Sequence, residues 1–277
     1  MTNTPPPSSA SPIRPSAPGN GVTRMVRTVV ALILREIATT YGRSAGGYLW
    51  ALADPILGVA LLTVIFQVVL GRSSPPIGGN FPLFYATGYI VFQMYNDIAN
   101  KMASSLRYSR PLLAYPTVTF VDALIARLIL NTMMHTVVFT IIITGIAMVF
   151  RLALVMDVAV VVRALGLTAL LGAGVGTMNC FLIMRFPVWE RAWSIVNRPM
   201  FLMSGIFFTY DIMPKVAQDV LWWNPVLHLI GLMRRGVYGI YPADYVSEAY
   251  VAFVALGLLA LGLLLLSRRY RDLLELH

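Results

Sequence analysis

Long apolar runs dominate the chain, at about residues 52–70, 82–100, 123–150, 158–184, 192–209 and 250–267. Each approaches the ~20 residues a helix needs to cross ~30 Å of hydrocarbon. Inside a bilayer no water satisfies backbone amides and carbonyls, so each span closes its own hydrogen bonds as a helix. The expected fold is therefore an all-α polytopic membrane protein with six transmembrane helices. Composition agrees: 58% of the residues are hydrophobic and only 12% are charged, against ~25% charged in soluble domains.

Three stretches fall outside the runs. Residues 1–21 hold Pro5, Pro6, Pro7, Pro12, Pro15 and Pro18 among Ser, Thr and Asn. Such a segment buries too little apolar surface to offset its ordering entropy and is expected to be a disordered tail. No apolar core follows a basic start before residue 22, so no cleavable signal peptide is expected. From Val22 to Thr40 the apolar Val26, Val29, Val30, Ile33 and Ile37 recur at helical spacing, away from Arg24, Arg27 and Arg35. This predicts an amphipathic helix lying in the membrane interface; a helix packed on a partner has the same pattern. Residues 211–248 are broken by Pro214, Pro225, Gly231, Gly236, Gly239 and Pro242. They are expected to form a re-entrant helical hairpin, hinged at Asn224-Pro225, that closes an outer gate. Trp222 and Trp223 belong near the interface, with Arg234 and Arg235 at the outer rim, meeting an anionic group or anchoring to headgroups.

Charge sets the orientation. With the N-terminus cytoplasmic, thirteen Lys and Arg fall on the cytoplasmic side and six on the other. By the positive-inside rule both termini are cytoplasmic, which requires an even number of spans. The +9 net charge thus follows from topology, and no basic run interleaved with aromatics suggests nucleic acid.

The stretch YGRSAGGYLWALADPILGVALL, residues 41–62, raises the question of a phosphate-binding loop. A P-loop needs G-x-x-x-x-G-K-[ST]. Lys101 and Lys215 are the only lysines and neither follows a glycine, so no ATP site of that type is expected. A G-x-S-x-G elbow is absent, because Ser204-Gly205 follows Leu202-Met203. His135, His228 and His277 are too scattered for a zinc site, and the lone Cys180 sits in an apolar run. No metal or cofactor is expected in this chain.

Tyr41-Gly42-Arg43-Ser44, Gly47-Tyr48-Leu49-Trp50 and Pro55, ahead of a first span, resemble the entry signature of ABC-2 type export permeases for polysaccharides. The later WNPVLHLIGLMRRGVYG, with Asn224-Pro225, His228 and Arg234, resembles the segment before the last span of the same family. The resemblance covers roughly residues 22–270 and is closest to the capsular polysaccharide export permeases of Gram-negative bacteria (KpsM-like). Asp54 stands before the proline where Glu is the more usual residue, which keeps the charge.

The resemblance implies a permease domain over residues 22–277 of an inner-membrane exporter for a lipid-linked polysaccharide. It also implies a homodimer, two separate nucleotide-binding ATPase subunits that carry ATP and Mg²⁺, and periplasmic and outer-membrane export components. O-antigen and teichoic-type exporters share the architecture. Gly42, Gly46 and Gly47 then read as a hinge into the first span. Asp54-Pro55 suits a helix's first turn, where a carboxylate meets the dipole and no amide is needed.

In RYSRPLLAYPTVT, residues 107–119, two prolines bracket a short apolar helix. Arg107, Arg110, Pro111, Leu112, Leu113 and Tyr115 suit docking into a groove of the ATPase. Polar residues inside spans mark the candidate substrate path. Tyr85, Tyr89, Gln93, Asn96, Asp97 and Asn100 recur every three or four residues in the second run, with Phe92 beside them, and Arg127, Asn131 and His135 recur at four in the third. Amides and phenols suit sugar hydroxyls, and aromatic faces suit pyranose rings. The same residue types also hold helices together, and Arg127 can snorkel to the surface.

Two other classes fit less well. A secondary transporter wants carboxylates near the midplane and repeated halves with broken helices, whereas the Asp and Glu here fall near span ends or in loops and no internal repeat is seen. A membrane transferase wants a carboxylate pair or a His-Asp constellation facing a cavity, and neither is evident in the sequence.

Overall fold

The computed structural model describes the backbone of residues 21–40, 46–113 and 119–275. Among these, all regular structure is helical. The helices are α1 (Gly21–Thr40), α2 (Gly46–Val64), α3 (Phe81–Ala103), α4 (Ser105–Leu113), α5 (Phe120–Phe150), α6 (Val158–Arg185), α7 (Val188–Leu202), α8 (Lys215–Leu221), α9 (Pro225–Tyr238) and α10 (Glu248–Glu275). A π-turn, Ile65–Val69, extends α2. Among the described residues four segments are long and apolar enough to cross a membrane: Leu49–Val69, Phe120–Phe150, Val158–Arg185 and Glu248–Arg269.

Local sequence explains the boundaries. Asn80 caps α3, its side chain accepting from the Leu83 amide at 2.9 Å, with a proline in the first turn. Thr119 and Asp122 close a capping box on α5. Asp157 accepts from the Val160 amide at 3.1 Å and starts α6.

α6 is the central helix, packed most extensively on α10 and α3. Glycines allow the approach: a Cβ on Gly176 would lie 2.6 Å from the Ala99 carbonyl oxygen, and one on Gly174 would collide with Ala255 of α10. Close backbone contact of this kind is how spans associate where lipid offers no hydrophobic drive. α3 and α9 complete the core, with Phe84, Tyr85, Met94, Tyr95 and Ile98 of α3 and Leu229, Ile230 and Met233 of α9 all buried.

The observed elements correct two boundaries expected from sequence. Asp54-Pro55 does not open α2, because Pro55 lies inside it. The helix starts at Gly46, so Gly46 and Gly47 belong to its first turn, and Gly42 lies outside the described residues. The apolar run at 192–209 is not one helix: α7 ends at Leu202, and Ser204–Phe208 is irregular, with Gly205 at φ 87°.

α1 follows the expected pattern only in part. Val29 is buried and Ile33 and Ile37 half-buried, whereas Val26 and Val30 on the same predicted stripe are exposed. Its packing partner is α5.

Candidate functional site

A polar cleft of about 340 Å³ lies between α2, α3 and α5. α3 and α5 carry facing stripes with four-residue spacing, Gln93, Asp97 and Lys101 on one and Arg127, Asn131 and His135 on the other. Antiparallel packing pairs them in reverse order. Lys101 Nζ donates to Asn131 Oδ1 at 2.6 Å, and His135 Nε2 lies 3.2 Å from Asp97 Oδ2. From α2, Asp54 Oδ2 accepts from Gln93 Nε2 at 2.5 Å. Pro55 lacks the amide that would close on the Ala51 carbonyl, and both residues line the cleft. Trp50, 69% exposed, stands at its edge.

Below the cleft, Arg127 joins four helices. Its Nη1 donates to the Lys101 carbonyl at 2.6 Å, its Nε faces Glu36 of α1 at 3.4 Å, and its guanidinium covers the Tyr108 ring of α4 at 4.4 Å. Tyr108 in turn hydrogen-bonds Thr39 of α1 at 3.0 Å. Arg127 does not snorkel: it is 5% exposed and its charge is paired inside the protein.

The other candidates of the second run face elsewhere. Asn96 accepts from Asn197 of α7 at 2.5 Å and from Asn100 at 3.2 Å. Tyr85, Tyr89 and Phe92 enter a chain of rings with Phe66, Phe201 and Phe207, at centroid separations of 5.1–6.3 Å. Tyr89 also lies against Gly58 of α2. Tyr85 has no exposed surface.

α4 places Arg107 3.5 Å from Glu190 of α7, both exposed. Arg110, Pro111, Leu112 and Leu113 end that helix, but their side chains, like Tyr115 as a whole, lie outside the described residues.

The break between α8 and α9 is chemically closed. Asn224 caps α9 through the Val226 amide at 3.0 Å, with Pro225 next, and its Nδ2 donates to the Met203 carbonyl at 3.1 Å. The carbonyls stranded by the break find partners: Trp222 O meets His228 Nε2 at 2.7 Å, and Trp223 O accepts from the Tyr250 hydroxyl at 2.8 Å. Arg234 is not at a rim. It is 2% exposed, donates to the Phe208 and Ile206 carbonyls at 2.9 and 3.0 Å, and lies 4.0 Å over the Phe84 ring. Backbone carbonyls outside regular structure need donors where water is excluded, and Arg234 supplies two to the irregular segment after α7. Arg235 is exposed. In the loop beyond α9, Tyr241 donates to Asp211 at 2.7 Å, and burial, Tyr245 and that carboxylate push its hydroxyl well above the ordinary tyrosine range.

Sequence reasoning did not place Asp54 and Lys101 in the cleft. Lys101 completes the four-residue spacing of Gln93 and Asp97, a signal the sequence carries. Nothing in the sequence links Asp54 to Gln93, which lies 39 positions away.

Comparison with known proteins gives the family. Residues 27–238 match the ABC-2 type transporter family. The polysialic acid transport protein KpsM of Escherichia coli is 30% identical over 247 residues, covering 89% of this chain and 95% of that protein. The capsule polysaccharide export inner-membrane protein CtrC of Neisseria meningitidis serogroup A is 26% identical, over 87% of this chain and 91% of its own. BexB of Haemophilus influenzae, named likewise, is 26% identical over 86% and 89%. With most of its length matched and its helices long enough to cross a bilayer several times, the chain belongs to the ABC-2 type transporter family of membrane permeases.

Proposed function

We propose that this chain is the transmembrane permease subunit of an ATP-driven exporter that moves a lipid-linked capsular polysaccharide across the bacterial inner membrane. The observation that carries the reading is the cleft: six hydrogen-bonding side chains on α2, α3 and α5, of which α2 and α5 are long and apolar enough to cross a membrane, in a chain whose relatives are named for capsule and polysialic acid export. Those side chains pair with one another. Sugar hydroxyls entering the cleft exchange one hydrogen bond for another at small net cost, as a path for a long polymer requires and a tight binding pocket does not.

The working unit is a homodimer with two nucleotide-binding subunits, which hold ATP and Mg²⁺, and with periplasmic and outer-membrane partners. Both termini are cytoplasmic. α2, α3, α5, α6, α7 with the segment after it, and α10 make six spans, α1 lies in the membrane interface, and α8–α9 form a re-entrant hairpin. The donors that Arg234 and Asn224 supply to the carbonyls of Ile206, Phe208 and Met203 support the hairpin, since unsatisfied carbonyls in hydrocarbon cost several kcal/mol each. α4 docks the ATPase, and the contact of Tyr108 with Arg127 links that docking helix to the foot of the cleft.

Deleting the gene tests the reading. Polysaccharide should accumulate inside the cell, wild type should restore its surface display, and Lys101→Met with Asp97→Leu should be inserted yet fail to do so. ATPase activity should copurify with wild type and be lost with Leu112→Asp and Leu113→Asp together. Unchanged surface polysaccharide in the deletion strain would refute the proposal.

A further inference from the structure

His228 of α9 spends both ring nitrogens on backbone partners. Nε2 lies 2.7 Å from the Trp222 carbonyl, and the Ser247 amide donates to Nδ1 at 3.2 Å. The partners fix the tautomer, since a carbonyl only accepts and an amide only donates: Nε2 carries the proton and Nδ1 is bare. The neutral imidazole is the form that satisfies both, in a ring that is 1% exposed.

Each partner is a structural junction. Trp222 closes α8 and stands at the break before α9, and its indole Nε1 donates to the Tyr245 carbonyl at 3.2 Å. Ser247 caps α10, its hydroxyl accepting from the Tyr250 amide at 3.2 Å. His228 thus ties the start of α10 to the break in the α8–α9 hairpin.

A second proton would undo the tie. On Nδ1 it would meet the Ser247 N–H, donor against donor, and it would put a charge where water is excluded. The ring is enclosed by Trp222, Tyr245 and Tyr250, at centroid separations of 5.3, 5.9 and 5.4 Å. The two tyrosines are the titratable groups that face it. Neither α3 nor α6, the other helices packed on α9, brings a charged side chain to bear on it. The Tyr245 carbonyl also acts on the ring as an acceptor. It is the partner that a protonated Nδ1 would take, in competition with the Trp222 indole. Burial holds the ring below the ordinary histidine pKa of ~6.5. The tie is therefore fully made above that pH and is lost as the pH falls from there through the lower native value.

We infer that His228 is a proton-operated pin of the outer hairpin. Neutral, it holds the start of α10 to the break at Trp222; protonated from the outer side, it releases Ser247 and turns to the Tyr245 carbonyl. Acid on that face then loosens the hairpin while the rest of the helix packing stays. The outer placement rests on the topology proposed above.

Spheroplasts of the deletion strain, carrying the full chain with its nucleotide-binding subunits, test the pin. In a Cys180→Ala background, Leu221→Cys, at a position 7% exposed beside Trp222, is compared with Val216→Cys on the same helix, at a position 79% exposed. A membrane-impermeant methanethiosulfonate is added outside from pH about 7.5 to about 5, a range that brackets histidine. The ratio of the Leu221→Cys rate to the Val216→Cys rate should rise roughly tenfold as the pH falls, a change of ~1.4 kcal/mol. Adding His228→Gln, whose amide can serve both partners without titrating, should hold the ratio flat. Adding His135→Asn should leave the rise in place. Deuterium exchange at the imidazole Cε1 of the His228 peptide, read by mass in the wild-type complex, should show the ring titrating below ~6.5 in step with the thiol ratio. That reading needs no substitution, so it decides even where His228→Gln fails to assemble. A rise that persists in His228→Gln, a flat ratio without it, or a His228 ring that stays neutral throughout overturns the pin. Reaction of Val216→Cys only from the cytoplasmic side overturns it too, through the topology. Polysaccharide retention in the deletion strain is independent of all these results, so the pin and the export function fail separately.

Discussion

Arg127 of α5 and Glu36 of α1 lie 3.4 Å apart, with side chains only 6% and 15% exposed, and through this pair the N-terminal helix is fastened to the cleft. Removing one partner leaves an uncompensated charge in a site of low polarity. Glu36→Gln or Arg127→Met alone should cost about 3 kcal/mol, whereas Glu36→Gln with Arg127→Met should cost clearly less than the sum. Thermal unfolding of the four proteins in detergent forms the cycle, and additive losses would mean that the pair does not interact.

The two faces of α3 should separate in function. Gln93, Asp97 and Lys101 face the cleft, while Asn96 is bonded to Asn197 of α7. Lys101→Met and His135→Leu should lower export roughly tenfold with little change in stability, whereas Asn96→Leu should act mainly on stability by leaving Asn197 without its acceptor. Surface polysaccharide and unfolding temperature, measured on the same variants, check this. Normal export in Lys101→Met would take the path away from the cleft.

What was legible in the sequence follows from what is local. Apolar runs located α2, α5, α6 and α10 because span length is written in consecutive residues. The boundary of α2 was misread because the helix starts before the apolar run: Gly46 to Ala51 are helical though they stand outside it. That Gln93 lies on one polar helix face, and Asn131 and His135 on another, was legible because period four shows a helix face. Their neighbours Tyr85, Asn96 and Asn100 follow the same period nearly as well, and only tertiary packing separates the faces. Arg234 was placed at a rim because an arginine in an apolar segment usually reaches water. Here its donors are taken by carbonyls 26 and 28 positions away.

The α3–α6 contact should tolerate no side chain at Gly176. A Cβ there falls 2.6 Å from the Ala99 carbonyl, so Gly176→Leu must push the helices apart, at ~1–3 kcal/mol or more. Gly166, on the same helix, has nothing within 4 Å of a Cβ. Gly166→Ala should leave stability unchanged or raise it by ~0.5–1 kcal/mol through reduced backbone entropy. A Gly176→Leu protein as stable as wild type would show that close approach of α3 and α6 does not set the role of Gly176.

The last prediction concerns the latch formed by Arg234. Its guanidinium reaches two carbonyls, of Ile206 and Phe208, from a fully buried position in α9. Losing it strands both, at ~1–3 kcal/mol apiece, so Arg234→Met should unfold the region. Lys keeps a charge but lacks the planar fork, and so should hold one carbonyl at a time. In a Cys180→Ala background, Ser204→Cys, at a position with no exposed surface, should resist a membrane-impermeant thiol reagent, while Val216→Cys, at a position 79% exposed, should react from outside. Adding Arg234→Lys should make Ser204→Cys reactive and leave Val216→Cys as it was, because the irregular segment after α7 then opens without loss of the fold. Equal reactivity at Ser204→Cys with and without Arg234→Lys would remove the latch. Labelling of Val216→Cys only from the cytoplasmic side would overturn the hairpin and the topology that places it on the outer face.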